Sequence, residues 1–232
     1  MQAILNLMLI LFGVLVSTSN NHEPANTPQD DSWPESINTV EQAFYLDTYE
    51  KAIVLELNKV RNNPARYAAD YLEPLKAAYN NKVLTFPGEA PLQTREGVAA
   101  LEEAIQALKT AAPVPPLEPS RSLTSAAELL VKDQKSYGGT GHLTKSGWTP
   151  QVRVKRFGTY TSRLAENLVY GYTNAQYAII SLLIDDGVAN RGHRANILDA
   201  GFTTVGVAAD KHPTYNYFCT IEFTDGFTAT GR

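Results

Sequence analysis

The 232-residue chain contains a single cysteine, Cys219, which excludes an intramolecular disulfide and any multi-cysteine metal cluster. It also lacks an excess of basic residues. Its formal net charge is −4, so the composition gives no general attraction for nucleic acid or for an anionic membrane. The sequence Asn-x-Ser/Thr does not occur, and an N-linked glycan is therefore not expected. With 44% hydrophobic and 19% charged residues, the remaining composition is that of an ordinary folded domain.

Several common catalytic motifs are also missing. The chain has no Gly-x-Ser-x-Gly elbow, no His-Glu-x-x-His helix, no P-loop and no Gly-x-Gly-x-x-Gly loop. Each of these motifs would have pointed to a particular reaction class. Any chemistry must therefore come from residues that the fold brings together from distant parts of the chain.

The N-terminus carries an apolar run over residues 3–16, interrupted only by Asn6 and one glycine. Because a membrane-spanning helix needs about 20 apolar residues, this run is too short to cross a bilayer comfortably. It matches the apolar region of a secretory signal, with small residues at 17–19 near which cleavage could occur. We predict a signal peptide over 1–19, a polar linker over 20–46 and a folded domain over 47–232. The predicted location is secreted, extracellular or periplasmic, with no stable membrane span after signal removal.

The predicted domain begins with helical periodicity and ends with strand alternation. Helices are predicted from about Asp47, from Pro64, and over 97–108, 123–135 and 175–186; Ser125 and Glu128 form a candidate capping box. Two strands are predicted near the C-terminus, and the second places Cys219 on a buried face, where the thiol behaves as a small hydrophobe. His212 is assigned to a hairpin turn. This order of elements predicts an α+β fold, with an antiparallel sheet covered by helices.

Candidate chemistry centres on two histidines in glycine-rich contexts, His142 and His193, and on Glu166 among apolar neighbours. Two imidazoles plus carboxylates can hold a zinc-type metal or carry out acid–base work. The spacing alone does not bring these residues together, so separate loop histidines remain the alternative. Tyrosines at five positions are interpreted as core-edge and loop residues, and a basic stretch as a solvated loop; the stretch comprises Lys145, Arg153, Lys155, Arg156 and Arg163.

Several motifs together resemble the CAP superfamily (cysteine-rich secretory proteins, antigen 5 and pathogenesis-related-1 proteins), in its disulfide-poor, bacterial-type branch. The resemblance runs from about Asp47 to Phe227. The segments that carry it are Leu57-Asn58-Lys59-Val60-Arg61-Asn62-Asn63-Pro64, Leu123-Thr124-Ser125-Ala126-Ala127, Gly141-His142, Ala165-Glu166-Asn167-Leu168, Gly192-His193-Arg194-Ala195-Asn196-Ile197-Leu198, Phe202-Thr203-Thr204-Val205-Gly206-Val207 and Tyr217-Phe218-Cys219-Thr220-Ile221-Glu222-Phe223.

This resemblance implies a three-layer α-β-α sandwich with a mainly antiparallel central sheet and a cleft lined by two histidines and two acids. Carried onto this chain, the cleft tetrad is His142, Glu166, Asp185 and His193, with Asp186 as the alternative fourth member. The fourth position is an aspartate where animal and plant members have a glutamate. The implied metal ligands are His142 and His193, and the implied metal is a divalent ion such as Zn²⁺.

The helix over 97–108 and the Pro-rich segment after it resemble an insertion relative to compact family members. It can serve as extra packing, which we favour, or as a rim of the cleft or a partner surface.

Three functions remain open from the sequence. The resemblance favours a secreted binding module, not an enzyme, whose cleft holds a divalent metal and binds a lipid, a sterol, another small apolar ligand or a partner. The alternative is a metal-dependent hydrolase or peptidase, with Glu166 or Asp185 as the base. The third is a structural envelope domain whose cleft has no ligand.

Overall fold

The computed structural model describes residues 32–230, so the predicted signal peptide and residues 20–31 of the predicted linker lie outside the described residues. The compact unit begins at Trp33, earlier than the predicted boundary at residue 47. Ile37, Val40 and Leu46 are buried, and the Asn58 amide donates to the Ile37 carbonyl at 3.0 Å. This segment packs because most of its few apolar side chains are buried, although Phe44 is exposed.

Seven α-helices are described, accompanied by short 3₁₀ and π turns. The long helices follow the apolar periodicity of the sequence, and the short ones begin at Pro64, Pro150 and Gly192. Their bounds are α1 Thr48–Asn62, α2 Pro64–Tyr67, α3 Val98–Thr110, α4 Arg121–Tyr137, α5 Pro150–Lys155, α6 Ala175–Ile184 and α7 Gly192–Leu198. The 3₁₀ turns are Glu35–Ile37 and Glu73–Ala78, and the π turn is Ala68–Leu72.

Nine strands form three sheets within residues 32–230. The main sheet has the order β4-β7-β8-β6; β7–β8 and β8–β6 pair antiparallel, and the short β4 pairs parallel with β7. The bounds are β1 Tyr79–Asn80, β2 Val83–Leu84, β3 Leu92–Gln93, β4 Glu118–Pro119, β5 Gly158–Tyr160, β6 Leu164–Tyr170, β7 Thr204–His212, β8 Asn216–Thr224 and β9 Phe227–Ala229. Strands β1, β2 and β3 form a small three-stranded sheet, and β5 and β9 form a two-stranded sheet.

Helices cover both faces of the main sheet, because alternate strand residues point to opposite sides. Val207, Cys219 and Ile221 face the core shared with α1 and α6, whereas Leu168 and Phe218 pack against α4. This arrangement confirms the predicted α+β class and the mainly antiparallel α-β-α sandwich. Cys219 is fully buried, as predicted.

Close contact between α4 and the sheet depends on one glycine. A Cβ at Gly206 of β7 would lie 2.4 Å from the backbone carbon of Leu123 in α4. Only glycine allows the helix to approach the strand this closely. The Thr124 hydroxyl also accepts from the Val207 N–H at 3.3 Å, which fixes the helix along the strand.

The structure corrects two predicted helix ends. The N-cap of α4 is Ser120, whose hydroxyl accepts from the Leu123 N–H, so the predicted capping box at Ser125 and Glu128 is wrong. Ser125 instead donates to the Arg121 carbonyl inside the first turn. Helix α6 ends at Ile184, two residues before the predicted end, because Asp185 takes a left-handed conformation with φ of 54°.

The predicted insertion contributes helix α3, which packs into the core through Leu101, Ile105 and Leu108. His212 ends β7 and is buried; its Nδ1 accepts from the N–H groups of Thr214 and Tyr215 in the turn. His212 was predicted in the hairpin turn, but it is the last residue of β7, pairs with Asn216 and flanks the turn over 213–215. Among the helices of residues 32–230, none has the length and apolarity needed to cross a bilayer.

Candidate functional site

The first half of the predicted tetrad is a hydrogen-bonded pair between His142 and Glu166. His142 lies in the loop after α4, and Glu166 lies on β6; the distance from His142 Nδ1 to Glu166 Oε1 is 2.7 Å. The imidazole is 51% exposed, whereas the carboxylate is 1% exposed. Since an ionised carboxylate only accepts hydrogen bonds, Nδ1 carries the proton and Nε2 is left as an acceptor.

The Glu166 carboxylate rests on a fully buried arginine, Arg153 of α5. One guanidinium nitrogen of Arg153 pairs with Glu166 Oε2 and also lies 3.2 Å from Glu222 Oε1 of β8. The other donates to the His142 carbonyl at 2.8 Å. We call Arg153, Glu166 and Glu222 the buried cluster. It fixes both the carboxylate partner and the backbone of His142.

Glu222 is an acid held in an environment that disfavours its charge. It is fully buried and directly opposite Glu166 in the β6–β8 ladder. Burial, together with the neighbouring Glu166 carboxylate, raises the pKa of Glu222 well above its ordinary value, in spite of Arg153. Glu222 Oε2 and Arg153 Nε are buried without a hydrogen-bond partner among the described residues. When Glu222 is protonated it carries no charge. The buried cluster then contains one carboxylate, that of Glu166, and one guanidinium, that of Arg153, and these two charges balance.

The second half of the tetrad is the pair of His193 and Asp185. Asp185 Oδ1 lies 2.7 Å from His193 Nδ1. Asp185 Oδ2 accepts a hydrogen bond from the His193 backbone N–H at 2.9 Å. Asp185 is 2% exposed and the imidazole is 27% exposed. The left-handed backbone of Asp185, which ends α6, turns its carboxylate towards the first turn of α7. Of the two candidates for the fourth position, Asp185 is therefore the one that contacts a tetrad histidine.

Asp186, the alternative fourth member, has a different contact. Its two carboxylate oxygens accept from the backbone N–H groups of Arg95 and Glu96, at 2.6 and 2.8 Å. The side chain thus turns towards the segment before α3, and not to either histidine.

Two asparagines support the second pair from the opposite face of β6. The Asn167 amide donates to the His193 carbonyl at 3.0 Å, and its oxygen accepts from Asn196 at 2.8 Å. Since Glu166 and Asn167 are neighbours on one strand, their side chains point to opposite sides. Strand β6 therefore contacts the His142 pair through Glu166 and the His193 pair through Asn167.

The structure thus pairs the four predicted residues as two separate histidine–carboxylate contacts. In both pairs the carboxylate binds Nδ1, so each imidazole presents Nε2. Within residues 32–230, no group of three or more His, Cys, Asp or Glu side chains has the arrangement of a metal site. A metal at this cleft would therefore rest on the two imidazoles, and the metal ligands His142 and His193 stay a prediction.

Two residues of the site were not identified from the sequence. Arg153 was placed in a solvated basic loop, which is wrong because this side chain is fully buried. Glu222 was read only as part of the closing strand. The sequence did contain a sign that Glu222 is special. It is a charged residue between Ile221 and Phe223, and strand alternation places it on the face opposite to that of Cys219.

Comparison with known proteins gives low-identity structural similarities. An extracellular protein containing an SCP domain from Bacillus anthracis is 24% identical, with 48% of this chain and 34% of that chain covered and a TM-score of 0.39. An outer surface protein from Borrelia burgdorferi is 16% identical, with 55% and 89% covered and a TM-score of 0.41. A cysteine-rich secretory protein from Staphylococcus aureus is 16% identical, with 55% and 37% covered and a TM-score of 0.33. The chain spans about a third of the length of the Bacillus and Staphylococcus proteins. Among curated proteins, none matches this chain.

The family comparison is more extensive. The model named CAP, described as the cysteine-rich secretory protein family, matches residues 55–223. The matched range contains all four tetrad residues and the three strands β6, β7 and most of β8. The chain therefore belongs to the CAP family.

Proposed function

We propose that this protein is an extracellular binding module whose cleft presents the Nε2 atoms of His142 and His193 to a divalent metal such as Zn²⁺. The observation that carries the proposal is that each tetrad carboxylate orients one imidazole through Nδ1. A carboxylate on the second ring nitrogen is the usual outer support of a metal-binding histidine. A bound Zn²⁺ would supply a positive attachment point for an anionic or carbonyl group of a ligand.

The contacts of the carboxylates favour binding over hydrolysis. A metal-assisted hydrolase needs a carboxylate that is able to take a proton from water. Both oxygens of Glu166 are engaged, one by His142 and one by Arg153. Both oxygens of Asp185 are engaged by His193. The tetrad carboxylates thus have the contacts of orienting groups, which supports the binding module.

We place the apolar ligand on the open side of the His142 pair. Leu143, next to His142, is 50% exposed, and Val152, next to Arg153, is 44% exposed. A separate cavity lined by Phe86, Leu92 and Tyr172 has a volume of about 40 Å³. That volume suits a water-sized molecule, and a lipid or sterol needs far more space.

The extracellular location is part of the proposal. It rests on the signal-like apolar run over residues 3–16. The Bacillus and Borrelia proteins described above are named as extracellular and outer surface proteins. Secretion of the full chain, with loss of its first residues, would be seen by mass spectrometry of the culture medium.

A zinc titration tests the metal site. Thermal unfolding of the wild type should shift upward with added Zn²⁺, because a ligand that binds only the folded state stabilises it by about 1.4 kcal/mol at ten times its Kd. The double variant His142→Ala, His193→Ala should lose this shift. The variant His22→Ala, which removes a histidine outside the tetrad, should keep it. An equal zinc shift in the double variant and the wild type would eliminate the site.

A vesicle assay tests the apolar ligand. Phosphatidylcholine vesicles with and without cholesterol are sedimented with the protein. Wild type should co-sediment, and Leu143→Ser should bind less, whereas Phe44→Ser, at an exposed apolar residue of the N-terminal segment, should bind like wild type. Binding that is absent for the wild type, or equal for Leu143→Ser, would contradict this part of the proposal.

A further inference from the structure

The His193 pair depends on a loop that has an unusual backbone. Between α6 and α7, both Asp185 and Arg191 have positive φ, at 54° and 50°. Neither residue is a glycine, and the left-handed region costs a non-glycine residue about 1 kcal/mol or more. Such a backbone persists only when surrounding contacts fix it. The contacts that do so come largely from residues 95–103, which are the residues just before α3 and its first turns.

The loop and the two residues just before α3, Arg95 and Glu96, exchange hydrogen bonds in both directions. Asp186 accepts from the backbone of Arg95 and Glu96. In return, Glu96 accepts from the Gly187 N–H at 2.6 Å. Each segment therefore satisfies backbone donors of the other through one carboxylate.

Arg191 connects this exchange to the site. Its guanidinium makes two 2.7 Å hydrogen bonds to the two oxygens of Glu96. The same guanidinium donates to the Asp185 carbonyl at 2.7 Å. A bidentate arginine–carboxylate pair fixes direction as well as distance. Arg191 therefore joins Glu96, just before α3, to Asp185, the residue that orients His193.

A second glutamate of α3 extends the contact to α7. Glu103 accepts from Arg191 Nε at 3.1 Å and from one nitrogen of Arg194 at 2.5 and 2.7 Å. Arg194 also donates to the Leu183 carbonyl in the last turn of α6. The insertion thus contacts both helices that flank the loop.

We propose that Glu96, Glu103, Asp186 and Arg191 form a clamp by which the α3 insertion positions the Asp185–His193 half of the cleft. These four are positioning residues, because they act through Asp185 and do not face the ligand. The insertion then supports the cleft in addition to its packing role. The consequence for metal binding rests on the proposed function, whereas the effect on His193 does not.

The experiment compares Glu96→Gln with Glu102→Gln. Both variants remove one negative charge near the start of α3, but Glu102 is exposed and makes none of the clamp contacts. Amide hydrogen exchange is followed at His193, whose N–H donates to Asp185 Oδ2. The Gly141 N–H, which donates to the Tyr170 hydroxyl at 3.0 Å, is the reference in the other half.

Glu96→Gln should speed exchange at His193 about fivefold, the change expected for loss of an ion-pair network, and leave Gly141 unchanged. The ¹⁵N shifts of the His193 ring should show a mixture of tautomers, while those of His142 stay fixed. Glu102→Gln should match the wild type at every position. Arg191→Lys, which keeps the charge but loses the bidentate pair, should behave like Glu96→Gln.

Unchanged exchange at His193 in both clamp variants would overturn the proposal, as would equal acceleration at His193 and Gly141. Faster exchange at His193 with no zinc binding in the wild type would support the clamp and contradict only the proposed metal site. If the wild type binds Zn²⁺, Glu96→Gln should weaken that binding about fivefold as well.

Discussion

The two histidine–carboxylate pairs share one hydrogen-bond pattern but differ in what holds the carboxylate. In the His142 pair, Glu166 rests on Arg153, a guanidinium with no exposed surface. In the His193 pair, Asp185 is fixed through Arg191, which lies at the surface with exposed glutamates as partners. The same histidine–carboxylate hydrogen bond can therefore be held in place either by a buried arginine or by an arginine near the surface, where solvent screens its charge.

These supports should respond differently to the same perturbation. Removing one partner of a buried ion pair leaves an uncompensated charge and is costly, whereas an exposed pair contributes little and is weakened by salt. The predictions below use this contrast, starting with the largest effect.

Arg153→Met should lower the free energy of unfolding by about 3–5 kcal/mol, because Glu166 and Glu222 then lack a cation in the interior. The measurement is urea denaturation followed by circular dichroism. Arg191→Met is the matched change in the other half and should cost about 1 kcal/mol. Equal losses in the two variants would contradict the contrast between buried and exposed support.

Asn167→Ala should cost about 2 kcal/mol, because Asn167 is fully buried and the partly buried His193 carbonyl and Asn196 amide both lose a partner. The same denaturation measurement applies. The change lies on the strand that carries Glu166, yet it should alter the ¹⁵N and ¹H shifts of His193 more than those of His142. Larger changes at His142 would show that β6 does not separate the two halves.

Glu222→Gln should change the pH dependence of stability. A carboxyl whose pKa is raised on folding binds more protons in the native state, so its contribution is full below the ordinary pKa and is lost as pH rises towards the folded value. The amide imitates the protonated acid and has no charge to bury. Relative to wild type, the variant should therefore gain stability as pH rises from about 5 to about 7, by up to about 1.4 kcal/mol per pH unit.

The check is urea denaturation of both proteins across this range. Glu102→Gln, an exposed glutamate, controls for the loss of one acidic group and should run parallel to wild type. A stability difference between Glu222→Gln and wild type that does not change with pH would mean that Glu222 is ionised in the folded protein.

Glu96→Gln should lower the free energy of unfolding slightly at low salt and have almost no effect in about 1 M sodium chloride, because salt screens the pair with Arg191. Pairing with Arg191 and the hydrogen bond from Gly187 lower the pKa of Glu96 to about 2, so its charge is present throughout the neutral range. Urea denaturation of both proteins at the two salt concentrations measures the effect of the substitution on the free energy of unfolding. A cost that is the same at both would indicate that hydrogen bonds, and not charge, hold the clamp.

Much of the fold followed from local patterns in the sequence. Helical periodicity located α1, α3, α4 and α6, and alternation located β7 and β8 with Cys219 on the buried face. Helix ends were less accurate. Ser120 and not Ser125 caps α4, and Asp185 ends α6 by adopting a left-handed backbone. Such ends depend on which of several polar side chains finds a partner after folding.

The site was partly accessible from the sequence. Motif resemblance identified His142, Glu166, Asp185 and His193, and the structure joins them in two pairs. Arg153 was misread because a basic residue among other basic residues looks solvated. Its burial becomes evident only when Glu166 of β6 and Glu222 of β8 are placed opposite each other by strand pairing.

By itself, the sequence determined the α+β class and the absence of an intramolecular disulfide, and it predicted the four tetrad residues, because periodicity, composition and short motifs are local properties. Tertiary structure decided how the tetrad is supported. Long-range pairing of β6 with β8 assembles the buried cluster, and packing of α3 against the α6–α7 loop assembles the clamp. Glu96 and Arg191 are far apart in the sequence but in contact in the fold, so no local sequence pattern predicts this contact.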